Sequence, residues 1–305
     1  WLAAGTSWPA LSAVMAADRV GKGIRTAPRD ALISLASEPQ RVGLSFGVHR
    51  AFDSAGALLG PLVAFAILAA LPEAYDVVFV ASFCIALAGL AALLLLVRNP
   101  SGSAAAATRP TFAQAMGLLR MTRLRRVLIA AAALGLATVA DPFFYLLLQR
   151  SAALPVAWFP LLFLGTALTY LALAVPAGRL ADRIGRGRVI FLGYTLLLAA
   201  CGCLLASQQH KLWGALALAL LGAYYACTDG VLMAAVSAWL PADLRASGFA
   251  MITTATGVSR LAGSALFGVL WQTWSLQVAV AVFAGALAAA LLLTARTWLR
   301  LETLP

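Results

Sequence analysis

The sequence predicts an all-α membrane protein whose helices cross a bilayer many times. Two observations carry this prediction. The 305 residues have a mean hydropathy of +0.93, and only 11% of them are charged, whereas an ordinary soluble domain has about 25%. The apolar residues also form long runs, and a helix needs about 20 such residues to span a bilayer. The longest runs are Ala74–Val97, Leu128–Ala140, Leu161–Pro176, Leu212–Cys227 and Val278–Ala295.

These runs and the breaks between them place nine helices after a stub that precedes Thr6. Because the chain begins at Trp1, inside an apolar run and without a signal-peptide pattern, we expect further sequence to precede it. The predicted spans are Trp8–Ser37, Gly43–Leu71, Ala74–Arg98, Arg125–Gln149, Val156–Leu180, Val189–Ser207, Leu212–Trp239, Ser247–Trp274 and Val278–Trp298.

The net charge of +11 indicates membrane orientation and not nucleic-acid binding. Cations concentrate in one alternate set of loops, as cytoplasmic loops do, whereas the opposite set holds only Arg150 and Lys211. The C-terminus is therefore expected in the cytoplasm, with the protein in a bacterial inner membrane. The cation-rich set comprises Arg41, Arg98, Arg109, Arg120, Arg123, Arg125, Arg126, Arg183, Arg186, Arg188, Arg245, Arg296 and Arg300.

Several function classes have no support in the residues. The sequence has two histidines and no CxxC pair, so it contains no zinc-binding pattern. It also has no Walker loop with Lys-Ser/Thr, which argues against an ATP-driven pump. HExxH is also missing, and the two histidines give an intramembrane enzyme little support. We expect no catalytic residue, metal or cofactor, and we expect Cys84, Cys201, Cys203 and Cys227 to be buried thiols.

A weak internal repeat relates two segments about 200 residues apart. ALISLASEPQRVGLSFG (Ala31–Gly47) and LMAAVSAWLPADLRASGFA (Leu232–Ala250) each read as a helix end, a short loop with Pro and Arg, and a helix rich in small residues. Parallel repeats of membrane helices are typical of transporters.

The segment GRLADRIGRGR resembles the loop motif Gly-x-x-x-Asp-Arg-x-Gly-Arg of the major facilitator superfamily. GALLGP (Gly56–Pro61) resembles the helix 5 signature of that family's proton-coupled exporters, and Arg19-x-x-x-Gly23 resembles its helix 4 motif. The residues that match the loop motif are Gly178, Asp182, Arg183, Gly185 and Arg186.

The resemblance implies a bundle of two pseudo-symmetric six-helix halves, of which this chain runs from late helix 3 to helix 12. The N-terminal half is then incomplete. Residues 1–97 are expected to be its remainder, residues 98–124 a cytoplasmic linker, and residues 125–305 the C-terminal half with helices 7 to 12. By resemblance, the Asp and Arg of the loop motif stabilise one conformation by linking neighbouring helices.

The stretch ADRVGKG imitates ADRIGRG, but its spacing predicts a helix. From Asp182 to Arg245 is 63 residues, which leaves room for two spanning helices, whereas Asp18 to Arg41 is only 23. Residues Ala17–Ile33 are therefore predicted to belong to helix 4 and its cytoplasmic end.

The charges on this predicted helix 4 are candidates for a substrate or ion pathway. A charge at the bilayer centre costs about 2.5–3.5 kcal/mol, so these residues must face a cavity, pair with each other, or reach the headgroups. The first three favour a cavity. For the last three, a cavity role fits as well as a place at the cytoplasmic end, where they would snorkel or form a gate network. They are Asp18, Arg19, Lys22, Arg25, Arg29 and Asp30.

Helix 5 adds His49, Arg50 and Asp53 to the candidate pathway. Arg50 and Asp53 are three residues apart and can pair across one turn. His49 fits a proton carrier and a plain hydrogen-bonded side chain equally well. Two charged helices suggest a salt-bridge network that rearranges during alternating access. Gly56, Gly60 and Pro61 are expected to permit close helix approach and a bend.

Charges are sparse in the C-terminal half. Asp141 opens one apolar helix, Asp229 follows Tyr225 by one turn in another, and Arg260 lies in a third. Desolvation favours the neutral form of a lone carboxylate, which suits a proton carrier. Asp229 is the first candidate and Asp141 the second, and an ion pair between Asp229 and Arg260 is the alternative.

The predicted function is secondary active transport of a small solute by alternating access, with proton-coupled efflux. The partners are then the solute, protons and the lipid bilayer, with the protein a monomer. The basic residues of helix 4 favour an anionic or zwitterionic solute. Two alternatives stay open: a non-transporting scaffold or receptor on the same fold, and a symporter or uniporter of an anionic solute. Transport predicts a water-accessible cavity lined by Lys22, Arg50, Asp141 and Asp229.

Overall fold

The computed structural model describes residues 8–96, 111–151, 159–207 and 211–301, and these are almost entirely helical. The predicted all-α class is therefore confirmed. A 3-10 turn, Leu118–Arg120, separates the fourth and fifth helices. The α-helices are α1 Trp8–Ala36, α2 Val42–Ala70, α3 Tyr75–Leu96, α4 Phe112–Gly117, α5 Thr122–Leu136, α6 Asp141–Ser151, α7 Phe159–Ile184, α8 Arg186–Ala206, α9 Lys211–Ser237, α10 Arg245–Thr273 and α11 Leu276–Leu299.

Eight of the nine predicted spans correspond to single helices with ends shifted by a few residues. The ninth, Arg125–Gln149, is wrong as a continuous helix, because it is interrupted between Leu136 and Asp141. Pro142 explains the break, since proline has no N–H and disfavours the helical conformation of the residue before it. The stub before Thr6 lies outside the described residues.

Among the described residues, seven segments are long and apolar enough to cross a membrane, with α5 and α6 counted together. They show an integral, multi-pass membrane protein. Helices α1 and α10 are long but too polar to be included. Cys201 and Cys227 are buried as expected, whereas Cys203 is only partly buried and Cys84 is exposed, like the rest of α3, which has no buried residue.

The chain forms two compact units. One comprises Trp1–Arg29 and Gly56–Arg109, and the other comprises Asp30–Ala55 and Pro110–Pro305, so that α1 and α2 contribute to both. These units are defined by contacts within each of them. They do not test the predicted division into residues 1–97, 98–124 and 125–305, which stays a prediction.

The second unit has a helical core. Helix α9 packs against α7 and α8, helix α11 against α8, and helix α10 against α5 and α11. The largest buried side chains of this core include Trp298, Tyr224, Phe144 and Phe249. The two repeated segments take the predicted form, since each is a helix end, a short turn and a new helix. Phe46 and Phe249, one from each segment, meet edge to face with ring centroids 6.4 Å apart.

Helices α2 and α7 cross along a line of small residues, which we call the glycine seam: Gly43 and Gly47 on α2, Ala174 and Gly178 on α7. A Cβ added at Gly47 would lie 2.5 Å from the carbonyl oxygen of Ala174, and one at Gly178 would collide with that of Gly43. By contrast, a Cβ added at Gly23, Gly56 or Gly60 would meet no atom within 4 Å. The close approach expected at Gly56 and Gly60 is therefore found earlier on α2, where the backbone of α7 faces it.

The glycine seam gives a matched prediction of stability. Gly178→Ala should lower the unfolding temperature in detergent, because overpacking a tight contact costs about 1–3 kcal/mol. Gly202→Ala on α8, where a Cβ meets nothing within 4 Å, should leave it unchanged or raise it, since alanine favours a helix over glycine by about 0.5–1 kcal/mol. Equal unfolding temperatures for the two variants would contradict the close crossing.

Candidate functional site

Arg50 on α2 lies among three carboxylates that come from three helices of the second unit. Its nitrogens are 3.4 Å from Asp30 on α1, 3.6 Å from Asp53 on α2 and 3.5 Å from Asp229 on α9. The Asp30 side chain is only 3% exposed and that of Arg50 15%. We call these four residues the Arg50 cluster. It contains the pair of Arg50 with Asp53 that helical spacing predicts.

Two neighbours extend the Arg50 cluster. His49 Nε2 lies 3.4 Å from Asp53 one turn further along α2, and the hydroxyl of Tyr170 on α7 donates a hydrogen bond of 2.9 Å to Asp229. Asp229 therefore pairs with Arg50 and not with Arg260, the alternative that the sequence left open, and it is not the lone carboxylate that the sequence analysis expected. Sequence reasoning missed Tyr170, because a tyrosine in an apolar helix has no local signal that distinguishes it from a core residue.

A second polar group lies where α6, α9 and α10 meet. The hydroxyl of Tyr225 donates to Asp141 at 2.5 Å, and Arg260 donates to the hydroxyl of Tyr224 at 2.8 Å. The break before Asp141 puts this carboxylate at the start of α6. Sequence reasoning identified Asp141, Tyr225 and Arg260 but not Tyr224.

Tyrosine rings connect the two polar groups. The rings of Tyr224 and Tyr225 are 4.9 Å apart between centroids, and those of Tyr170 and Tyr225 are 6.2 Å apart. Two tyrosine rings, those of Tyr170 and Tyr225, therefore lie between Asp229 and Asp141.

The charged residues in the middle of α1, from Asp18 to Arg29, belong to the first unit. Asp18, Arg19, Lys22 and Arg25 are exposed, whereas Arg29 is half-buried. Asp18 and Arg19 lie 3.9 Å apart with both side chains about 70% exposed, and such an exposed pair stabilises a fold by about 1 kcal/mol at most.

Most of the motif Gly178–Arg188 is helical and not a loop. Helix α7 continues to Ile184 and α8 starts at Arg186, so only Gly185 turns the chain, with a φ of 107° that favours glycine. This sharp turn brings Asp182 and Arg186 to one point. Arg183, between them, is exposed.

Asp182 and Arg186 tie four segments of the second unit together. Both carboxylate oxygens of Asp182 accept backbone N–H groups at the start of α2, from Gly43 at 2.9 Å and Leu44 at 2.8 Å. This is a favourable place for a negative charge, because the first N–H groups of a helix have no partner within it.

Arg186 completes this arrangement, which we call the latch. It lies 3.1 Å from Asp182 and donates to the carbonyl oxygens of Ala234 on α9 and Pro39 before α2, both at 2.9 Å. Both terminal nitrogens of the guanidinium therefore donate hydrogen bonds. The latch thus links α2, α7, α8 and α9 to one another.

Residues 153–304 match the family model described as Major Facilitator Superfamily. The chain is also 30% identical over 277 residues to an uncharacterized MFS-type transporter of Methanocaldococcus jannaschii, a match that covers 87% of this chain and 67% of the relative.

Solved transporters share the fold. FucP, a major facilitator superfamily transporter in the outward conformation, superposes with a TM-score of 0.68 at 17% identity and covers 89% of this chain and 72% of its own. A bacterial homologue of the iron transporter ferroportin in the outward-facing state gives 0.66 at 17% identity, with 97% and 75% covered. At such identities the similarity concerns the fold.

Proposed function

The chain belongs to the major facilitator superfamily, and from this premise we propose that it is a secondary active transporter that exports a small solute in exchange for protons. The Arg50 cluster is the observation that supports this function best. It joins α1 and α2, which contain the first repeated segment, to α9, which leads into the second. Alternating access requires the two repeats to separate and close again, so a charge network between them has to change in each cycle.

Protons offer a simple way to change that network. Uptake of a proton by Asp229 removes its charge and weakens its attraction for Arg50, while Asp30 and Asp53 keep the guanidinium paired. Asp229 is half-exposed, with 45% of its side chain accessible, so it can exchange protons with water. We therefore assign it the proton-carrying role and place Asp141, held by Tyr225, second.

The direction of transport rests on the sequence of α2. Its Gly56–Pro61 segment resembles the signature of proton-coupled exporters, which favours antiport. The loop charges favour a cytoplasmic C-terminus and a bacterial inner membrane. The latch then lies at the cytoplasmic end of the bundle, since Arg41, Arg183 and Arg188 belong to the cation-rich set.

A test in proteoliposomes uses the protein expressed from its complete reading frame. Solutes that raise its unfolding temperature are loaded, and their flux is followed with and without a pH gradient. We expect transport against the solute's own gradient only when protons flow the opposite way, and Asp229→Asn should reduce this gradient-driven flux at least tenfold. Asp243→Asn, an exposed loop carboxylate, serves as the matched control.

The outcomes are distinct. A flux that does not depend on the pH gradient would remove proton coupling, and a flux in the same direction as protons would replace antiport by symport. Wild-type gradient-driven flux in Asp229→Asn would take the proton-carrying role away from that residue.

A further inference from the structure

Arg260 is a cation in the middle of α10 with no ionic partner among the described residues. It lies 15 residues after Arg245, the first residue of that helix, or about 22 Å along the axis at about 1.5 Å per residue. Arg50 and Arg186, the other two arginines of the site, each pair with at least one carboxylate. Arg260 donates a hydrogen bond to the hydroxyl of Tyr224 and has Tyr194 as a further hydrogen-bonding neighbour, and both of these partners are uncharged side chains.

The donors of Arg260 are largely unused. A guanidinium has five N–H groups, and its buried Nε finds no acceptor in the part of the chain that the structure describes. Asp141 and Asp229 are close enough to attract the charge but not to pair with it. An unpaired buried charge is costly, so this arrangement fits a cation whose partner arrives with a ligand.

The surface next to Arg260 is accessible and partly polar. Helix α10 is too polar to be counted with the apolar spans, and it presents Thr253, Thr254 and Gly257 on its exposed side. Tyr224 is completely buried, accepts the hydrogen bond from Arg260 and has Tyr194 as a second hydrogen-bonding neighbour, so it positions the guanidinium. The guanidinium thus keeps donors for a ligand, whereas Asp141 already accepts from Tyr225 and Asp229 from Tyr170.

We propose that Arg260, positioned by Tyr224, forms the recognition site for a carboxylate group of the transported solute. A carboxylate matches the geometry of an arginine, because two parallel N–H groups can donate to its two oxygens. A single guanidinium suits one negative charge. The inference rests on the proposed transport function and specifies its substrate class as small organic carboxylates, including zwitterions.

The test measures binding without transport, so that its failure is distinguishable from failure of the proposed function. The protein, expressed from its complete reading frame and purified in detergent, is titrated with benzoate, acetate and glycine, and with benzamide, acetamide and glycinamide as analogues without the carboxylate. The readout is the shift in unfolding temperature. We expect shifts from the carboxylates only, with the apparent affinity reduced about tenfold or more in Arg260→Gln, because a charge-assisted hydrogen bond is lost.

Two further variants separate recognition from folding. Arg260→Lys keeps the charge and should retain part of the shift, while Arg296→Gln removes an exposed cation of α11 and should retain all of it. Without ligand, Arg260→Gln should unfold no earlier than the wild type, since it removes a charge that has no ion pair. Arg186→Gln should unfold earlier, because it breaks the latch.

Three results would overturn the assignment: no carboxylate-specific shift from any of the probes, equal shifts from acids and amides, or an unchanged carboxylate shift in Arg260→Gln. Loss of gradient-driven transport with carboxylate binding intact would affect the proposed function and leave this site in place.

Discussion

Arg50→Gln is expected to abolish transport and to lower the free energy of unfolding by about 3–5 kcal/mol. Removing one partner of a buried ion pair leaves the other charge unpaired in a medium that solvates it poorly. Here the substitution affects three carboxylates at once, and the most deeply buried of them is Asp30. Thermal unfolding in detergent and solute flux in proteoliposomes measure the two effects.

Arg41→Gln is the matched control. Arg41 also has an acidic partner, Glu38 at 3.5 Å, but the two side chains are 70% and 68% exposed. An exposed pair contributes about 0–1 kcal/mol, so this variant should behave like the wild type. If both substitutions had the same small effect, Arg50 would not be the centre of a buried charge network.

A second substitution separates charge from shape. Adding Asp229→Asn to Arg50→Gln removes one of the carboxylates left unpaired, so the double variant should be more stable than the sum of the two single changes predicts. Additive effects would show that Arg50 and Asp229 do not interact.

Asp182→Ala is expected to shift the conformational equilibrium away from the arrangement that the latch holds. The substitution removes the two carboxylate oxygens that accept the backbone N–H groups at the start of α2, and it also removes the partner of Arg186. Hydrogen bonds to a charged group contribute about 1.5–3 kcal/mol each, so even one such loss changes the ratio of the two states at least tenfold. Solvent access to the glycine seam reports this change.

Maleimide labelling measures that access at Ala174→Cys, in a background without the four native cysteines. Ala174 is 2% exposed, so the introduced thiol should react slowly when the latch is intact and at least ten times faster in Asp182→Ala. Asp76→Ala removes an exposed carboxylate from the first turn of α3 and should leave the rate unchanged. Equal rates in all three proteins would show that Asp182 does not hold the seam closed.

The helices were predictable from the sequence because the bilayer requires long apolar runs, and such runs can be recognised locally. The break before Asp141 was less apparent, since the apolar run continues through it and only Pro142 marks the position. The motif at Gly178–Arg188 indicated the family. It did not predict that the two helices run through the motif and that a single residue, Gly185 with its positive φ, makes the turn between them.

The pairing of charges was predictable only within one helix. Arg50 and Asp53 lie three residues apart, so helical geometry brings them together. The contact of Arg50 with Asp229 joins residues 179 positions apart and depends on how α2 and α9 pack, which no local pattern gives. For the same reason, the sequence placed the close crossing at Gly56 and Gly60, which have the same small-residue spacing as Gly43 and Gly47.

The absence of side chains from the glycine seam has a kinetic consequence. Where helices interlock through large side chains, parting them forces many rotamers to rearrange together, which raises the activation barrier. Along Gly43, Gly47 and Gly178 the surfaces in contact are mostly backbone, and they can come apart and meet again as rigid bodies. The rate of the conformational cycle would then be set by the few hydrogen bonds that Asp182 and Arg186 make at the end of the seam.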